Sequence, residues 1–219
     1  MTEAEKLPNP KKIKIAKRPI HKIGVFGGSF NAIHIGHVLS VHYVQAMTDF
    51  EGIFVVPCGN HAFGKDLIDF NHRFLMCQYA LFNLKQPIKE TDLGLVQNNI
   101  VISDIEKDDT TSYAIDTARR LLNILTSFNE GEVELYWIVG SDCIKELDKW
   151  KEIEELKKIV KFHEIPRPDS GQFYFSKGVQ LPATSSSEVR KRIKEGQDFT
   201  KLLPLKVSDY VRKHKLYLA

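Results

Sequence analysis

The stretch that most constrains this chain is Ile23-Gly24-Val25-Phe26-Gly27-Gly28-Ser29-Phe30-Asn31-Ala32-Ile33-His34-Ile35-Gly36-His37. Residues 23–26 form a short apolar run of buried-strand type. Gly27 and Gly28 are then expected to break the strand. Paired glycines let the backbone turn tightly and let a ligand approach main-chain N–H groups. His34 and His37 follow, three apart around Gly36, and residues 38–44 read as a helix. A strand, a glycine turn and histidines at a helix N-terminus make an anion site, because unpaired N–H groups and the positive dipole end face the ligand there. Two readings compete with it. The histidines could hold zinc, although no acidic or Cys cluster stands at an obvious third position. They could also be ordinary packing at a helix start.

The string Gly-Gly-Ser-Phe-Asn-Ala-Ile-His-Ile-Gly-His resembles the signature of the nicotinate-mononucleotide adenylyltransferases, within the H-x-G-H nucleotidyltransferase superfamily. The usual family form is G-G-[ST]-F-D-P-x-H-x-G-H. A second stretch, Thr184-Ser185-Ser186-Ser187-Glu188-Val189-Arg190, resembles the family's I-S-S-T-x-x-R. The resemblance runs over about residues 22–218, nearly the whole chain. It implies a Rossmann-like open, mostly parallel sheet flanked by helices, with a small C-terminal helical portion.

The rest of the chain is consistent with one such domain. At 219 residues there is room for one domain or one plus a small appendage. Residues 1–22 carry seven Lys/Arg and two Glu, a net +5 against +3 for the whole chain, which leaves the body at −2. We therefore divide the chain into a basic tail, 1–21, expected to be disordered, and a nucleotidyltransferase domain, 22–219. A basic arm can touch nucleic acid or anionic lipid, but the slightly acidic body disfavours a nucleic-acid partner. No apolar run is long enough to span a membrane. Cys58, Cys77 and Cys143 are widely spaced and fit a reducing cytoplasm rather than a disulfide framework. A homo-oligomer stays open.

Taken in order, Gly52–Pro57 reads as a second buried strand, which with the first helix makes a βαβ unit. Residues 58–65 form a loop at that strand's carboxyl end, where open α/β sheets bind ligands. Asp69 can cap a helix running to about Leu84, and Arg73 is either structural or at a substrate edge. Residues 85–98 read as a connection with a short strand, and 100–103 as a strand. Thr111 and Ser112 are N-cap candidates for a helix to about Leu125. Residues 133–139 are another strand, ended by Gly140-Ser141-Asp142, where Asp142 can accept ribose hydroxyls, cap a helix, or both. Trp150 can stack on an electron-poor ring or pack in the core. Residues 159–162 read as a further strand, Arg167 follows in an uncertain register, and 169–180 hold another short strand. Ser185 with Glu188 makes a capping box. Residues 207–213 close the chain as a helix.

The resemblance implies roles. His34, His37 and Arg190 would be catalytic. Gly27, Gly28, Ser29, Phe30, Gly36, Gly140, Asp142, Ser185, Ser186 and Ser187 would bind ATP. Lys65, Ser112, Tyr113 and Trp150 would bind the acceptor. Mg²⁺ would accompany ATP, with no resident metal site, and the partners would be ATP and a mononucleotide. The implied reaction is transfer of AMP from ATP to nicotinate mononucleotide, giving nicotinate adenine dinucleotide and pyrophosphate in NAD biosynthesis. Three departures bear on it: Asn31-Ala32 stands for Asp-Pro, the Pro-Pro-His loop is absent ahead of Lys65, and Ala114 stands for Thr. The last two fall on the acceptor side. Adenylyl transfer to nicotinamide mononucleotide, phosphopantetheine or a sugar phosphate therefore competes, as does a non-catalytic nucleotide-binding regulator.

Overall fold

The computed structural model describes residues 20–82, 96–128, 130–165 and 184–218. The basic tail, Arg167, most of the 85–98 connection and the strand expected within 169–180 lie outside the described residues. The elements are β1 (Ile20–Gly28), α1 (Ile35–Met47), β2 (Gly52–Pro57), α2 (Phe70–Leu81), β3 (Val96–Gln97), β4 (Ile100–Ile102), α3 (Ala114–Phe128), β5 (Glu132–Gly140), α4 (Ser141–Ile144), α5 (Ile153–Ile159), β6 (Val160–Ile165), α6 (Ser186–Lys194) and α7 (Leu205–Lys213).

The six strands lie in the order β3-β4-β2-β1-β5-β6. All neighbours are parallel except the short edge pair β3–β4. This is the expected Rossmann-like sheet. The chain builds outward from β1 through β2 to β4, then returns to the other side of β1 with β5 and β6. The strand order reverses between β1 and β5, and a crevice opens there at the carboxyl ends of the strands.

Side chains alternate across the sheet, as the period of two requires. Val25, Leu135, Trp137 and Val139 face a core shared with Ile115, Leu121 and Leu156 of α3 and α5. Phe26, Ile53, Val55 and Ile138 face the opposite core, with residues of α1, α2, α6 and α7. α3 shows why such helices form: its buried Ile115, Ala118 and Leu121 recur at helical spacing.

Several boundaries differ from the sequence reading. β1 does not break at the glycines; Gly27 and Gly28 stay in the ladder opposite Val56 and Pro57. A ladder needs only main-chain groups, and side chains at these two positions would press on Trp137 and Phe30. α2 ends at Leu81, and Asp69 caps it by accepting the Asn71 N–H. Ile159 closes α5 instead of opening β6. Ser185 caps α6 through the Glu188 N–H, but the Glu188 carboxylate pairs with Arg192, so only half of the capping box forms. Among the described residues no helix is long and apolar enough to cross a membrane.

Candidate active site

α1 begins with a reciprocal cap made by its two histidines. His34 is the N-cap, and its Nδ1 accepts the His37 N–H at 3.3 Å. His37 Nδ1 accepts the His34 N–H at 3.2 Å. The two rings stack with centroids 3.6 Å apart and planes 20° apart. A ring nitrogen that accepts an N–H carries no proton of its own, so the hydrogen-bond network places each proton on Nε2. Each ring is then a neutral N–H donor at its outer end, free of the repulsion two stacked imidazoliums would suffer. His34 is 1% exposed, while His37 is half-buried. Phe30, expected to line the ATP site, is itself 1% exposed, and its ring packs edge-on against His37 at 5.1 Å. Its side chain therefore holds His37, and only its backbone can meet a ligand.

The second motif docks on the turn before α1. Arg190 donates from Nη1 to the Asn31 carbonyl and from Nη2 to Ser187 Oγ at 3.3 Å. Ser186 Oγ donates to the Ala32 carbonyl at 2.8 Å. Asn31, where the family pattern has Asp, is buried and bridges to the next loop through Asp66 and Ile68. The N-terminus of α6 thus lies beside that of α1. Two stretches 150 residues apart are joined by main-chain acceptors that the first supplies and side-chain donors that the second supplies.

Arg73 resolves as structural. It is 1% exposed and donates to four carbonyls: Ile68 (3.0 Å), Ser29 (3.0 Å), Cys58 (2.6 Å) and Gly59 (2.8 Å). One planar guanidinium thereby ties the loop after β1 to the loop after β2.

Between those loops and α3 lies a cavity of about 280 Å³. Gly27, Gly28 and Ser29 form one wall, Tyr113, Trp137 and Trp150 the apolar side, and Lys65, Lys149 and Lys151 are basic groups on its lining. The expected acceptor residues Lys65, Ser112, Tyr113 and Trp150 all meet here. Trp150 serves both readings, since it lines the cavity while packing edge-on against Trp137 and Phe162. Ser112 does not cap α3. Its hydroxyl accepts the Gly59 N–H at 2.8 Å and donates to Glu106. Gly59 is required at this contact, because a Cβ there would sit 2.1 Å from the Glu106 carbonyl.

Glu106 was not visible in the sequence as a site residue. It is 5% exposed, lines the cavity and accepts the Thr117 hydroxyl at 2.5 Å. Burial pushes its carboxyl above the usual carboxylate range, and the Thr117 and Ser112 donors offset only part of this. Its ionisation in the fold therefore opposes stability. That cost is absent below the ordinary Glu value and grows as pH rises through the shifted one. The Glu106→Gln variant is expected to gain melting temperature relative to the parent as pH is raised from 4 to 8. A difference that stays flat or falls with pH would contradict this.

Trp137, Cys58, Cys143 and His61 also line the cavity. Burial raises the Cys58 thiol to about 11, so it is not a thiolate nucleophile near neutral pH. Burial first, and then Lys65, lower His61. Gly36 is buried, and its carbonyl accepts Ser40 Oγ. Gly140 ends β5 and precedes Ser141 and Asp142 in the first turn of α4, at the strands' carboxyl edge. Among the described residues no three His, Cys, Asp or Glu side chains gather as a metal site, so the zinc reading of His34 and His37 finds no third ligand there.

Comparison with known proteins gives the same picture. The cytidylyltransferase-like family matches residues 25–192. A Streptococcus pyogenes protein named "Probable nicotinate-nucleotide adenylyltransferase" is 32% identical over 202 residues, covering 90% of this chain and 88% of that protein. The chain belongs to the cytidylyltransferase-like family, in its nicotinate-nucleotide adenylyltransferase branch. A relative of the same name from Myxococcus xanthus is 28% identical, over 91% of this chain and 96% of its own. Among solved structures, the Plasmodium falciparum nicotinic acid mononucleotide adenylyltransferase complexed with NaAD has a TM-score of 0.67. It is 24% identical and covers 90% of this chain and 97% of that one. That likeness carries the fold. The nucleotidyltransferase match begins within β1, takes in the histidine pair, the cavity walls and Arg190, and stops before α7.

Proposed function

We propose that this enzyme transfers AMP from ATP to nicotinate mononucleotide, giving nicotinate adenine dinucleotide and pyrophosphate in NAD biosynthesis. The observation that carries the reading is the junction of two motifs beside one cavity: Arg190 and Ser186 dock on the Asn31–Ala32 turn that leads into the His34–His37 cap, and the cavity opens next to Ser29. Family membership fits the same reaction.

The chemistry needs little from the protein beyond placement and charge. The acceptor's 5′-phosphate is already ionised, so no general base is required. One of its oxygens forms a new bond to the α-phosphorus of ATP. The bond from that phosphorus to the bridging oxygen breaks, and pyrophosphate leaves with the electron pair. His37 donates Nε2–H to the α-phosphate oxygens as charge develops there, with His34 stacked behind it to hold the ring. The α6 N-terminus, with Ser185, Ser186 and Ser187, and Arg190 receive the departing pyrophosphate. Gly27, Gly28, Ser29, Phe30 and Gly36 would offer backbone around the ATP phosphates, and Gly140 and Asp142 would receive the ribose. Trp150 and Tyr113 enclose the pyridine ring, and Lys65 and Ser112 complete the acceptor side. Mg²⁺, carried in as MgATP with much of its own water, spreads the triphosphate charge. A cytoplasmic site of action suits Cys58, Cys77 and Cys143, which form no disulfide.

Pyrophosphate release, measured in parallel with nicotinate mononucleotide, nicotinamide mononucleotide and phosphopantetheine, tests the acceptor. Release with the nicotinate form well above the other two is expected. Release with another acceptor alone would keep the adenylyl transfer and overturn the pathway.

A further inference from the structure

The loop that departs most from the family pattern, residues 61–65, carries a built donor that no reading above uses. His61 is pinned on both sides. Asn60 accepts the Ser112 N–H at 2.9 Å, and His61 itself bridges in parallel to Ser112. The chain then turns tightly: the His61 carbonyl accepts the Gly64 N–H at 2.9 Å, and Gly64 takes a φ of +67°. Inside this turn, His61 Nδ1 accepts the Phe63 N–H at 3.1 Å. As in the α1 cap, an accepting Nδ1 puts the ring proton on Nε2. No hydrogen bond to Nε2 forms among the described residues, and the half-buried ring lines the cavity. Lys65, from the same loop, lines it too.

We propose that His61 binds the acceptor, donating its Nε2–H to an oxyanion of the mononucleotide beside Lys65. This rests on the reading of the cavity as the acceptor site. Two groups of the substrate have that chemistry, the 5′-phosphate and the ring carboxylate. A neutral imidazole held by its own turn loses little freedom on binding, which makes the contact specific at small entropic cost. Partial burial first, and then the nearby Lys65, favour that neutral donor form.

Two substitutions separate the ends of the ring. Asparagine places an acceptor where Nδ1 sits, so His61→Asn keeps the turn and removes the outward donor. Glutamine places an N–H donor near Nε2, so His61→Gln keeps the donor and loosens the turn. Steady-state KM for acceptor and ATP, with melting temperature, reads the result. His61→Asn is expected to raise acceptor KM about tenfold or more, the range for a hydrogen bond to a charged group. ATP KM and melting temperature should stay near the parent's. His61→Gln is expected to keep acceptor KM within about threefold, by the same donor argument. An equal rise with the acid and amide mononucleotides marks the phosphate as the oxyanion, and a rise with the acid alone marks the carboxylate. Acceptor KM unchanged in both variants, or His61→Gln impaired as much as His61→Asn, would overturn the inference while the parent's turnover preserves the proposed reaction. A parent that turns over neither mononucleotide would overturn both.

Discussion

The His37→Asn enzyme is expected to lose about 10³-fold in kcat, the scale for removing one donor from a developing oxyanion. Its fold should survive. The side-chain oxygen of asparagine can still accept the His34 N–H that His37 Nδ1 accepts now, and His34 Nδ1 still caps the His37 position. What disappears is the outer N–H. Helix capping contributes on the order of 1 kcal/mol, so even His37→Ala, which gives up one half of the cap, should remain folded and inactive. Circular dichroism and melting temperature read the fold, and single-turnover rates read the chemistry. A His37→Asn variant with near-parental kcat would remove this residue from the site.

The largest effect on stability is expected at Arg73. Arg73→Met leaves four loop carbonyls, those of Ser29, Cys58, Gly59 and Ile68, without their charged donor in a buried place. Unsatisfied buried acceptors cost about 1–3 kcal/mol each before relaxation, so a loss of roughly 3–5 kcal/mol is expected once the loops adjust. For a chain of this size that is on the order of 10 °C in melting temperature. Arg73→Lys should recover little, since an ammonium cannot span four carbonyls held in a guanidinium's plane. A loss below about 1 kcal/mol in Arg73→Met would show that the carbonyls find water or other donors.

These two residues mark what could and could not be read from the sequence. The sheet was legible because buried strands and helical spacing are written in side chains: β2 falls where the apolar run lies. The histidine and serine motifs were legible as strings, and the fold brings them together at Asn31 and Ala32. Arg73 could not be decided, because its partners are main-chain carbonyls in two separate loops, and a carbonyl leaves no trace in residue identity. Gly27 and Gly28 were misread as a break because glycine is rare in strands, whereas here the missing side chains make room for Trp137 and Phe30. Trp137 was read only as part of a buried strand, for alternation cannot tell a core face from a cavity wall. Glu106 became visible only when Ser112 proved to be bonded to it and to Gly59 rather than to the helix it precedes.

The central step of the proposed reaction is direct passage of the adenylyl group from ATP to the acceptor phosphate. ATP labelled at the α-phosphorus, incubated with Mg²⁺, nicotinate mononucleotide and the enzyme, measures it. The label should appear in nicotinate adenine dinucleotide, one for one with pyrophosphate released, and none should remain bound to protein after denaturation. Label recovered as AMP, on the protein, or still in ATP after prolonged incubation would contradict the account.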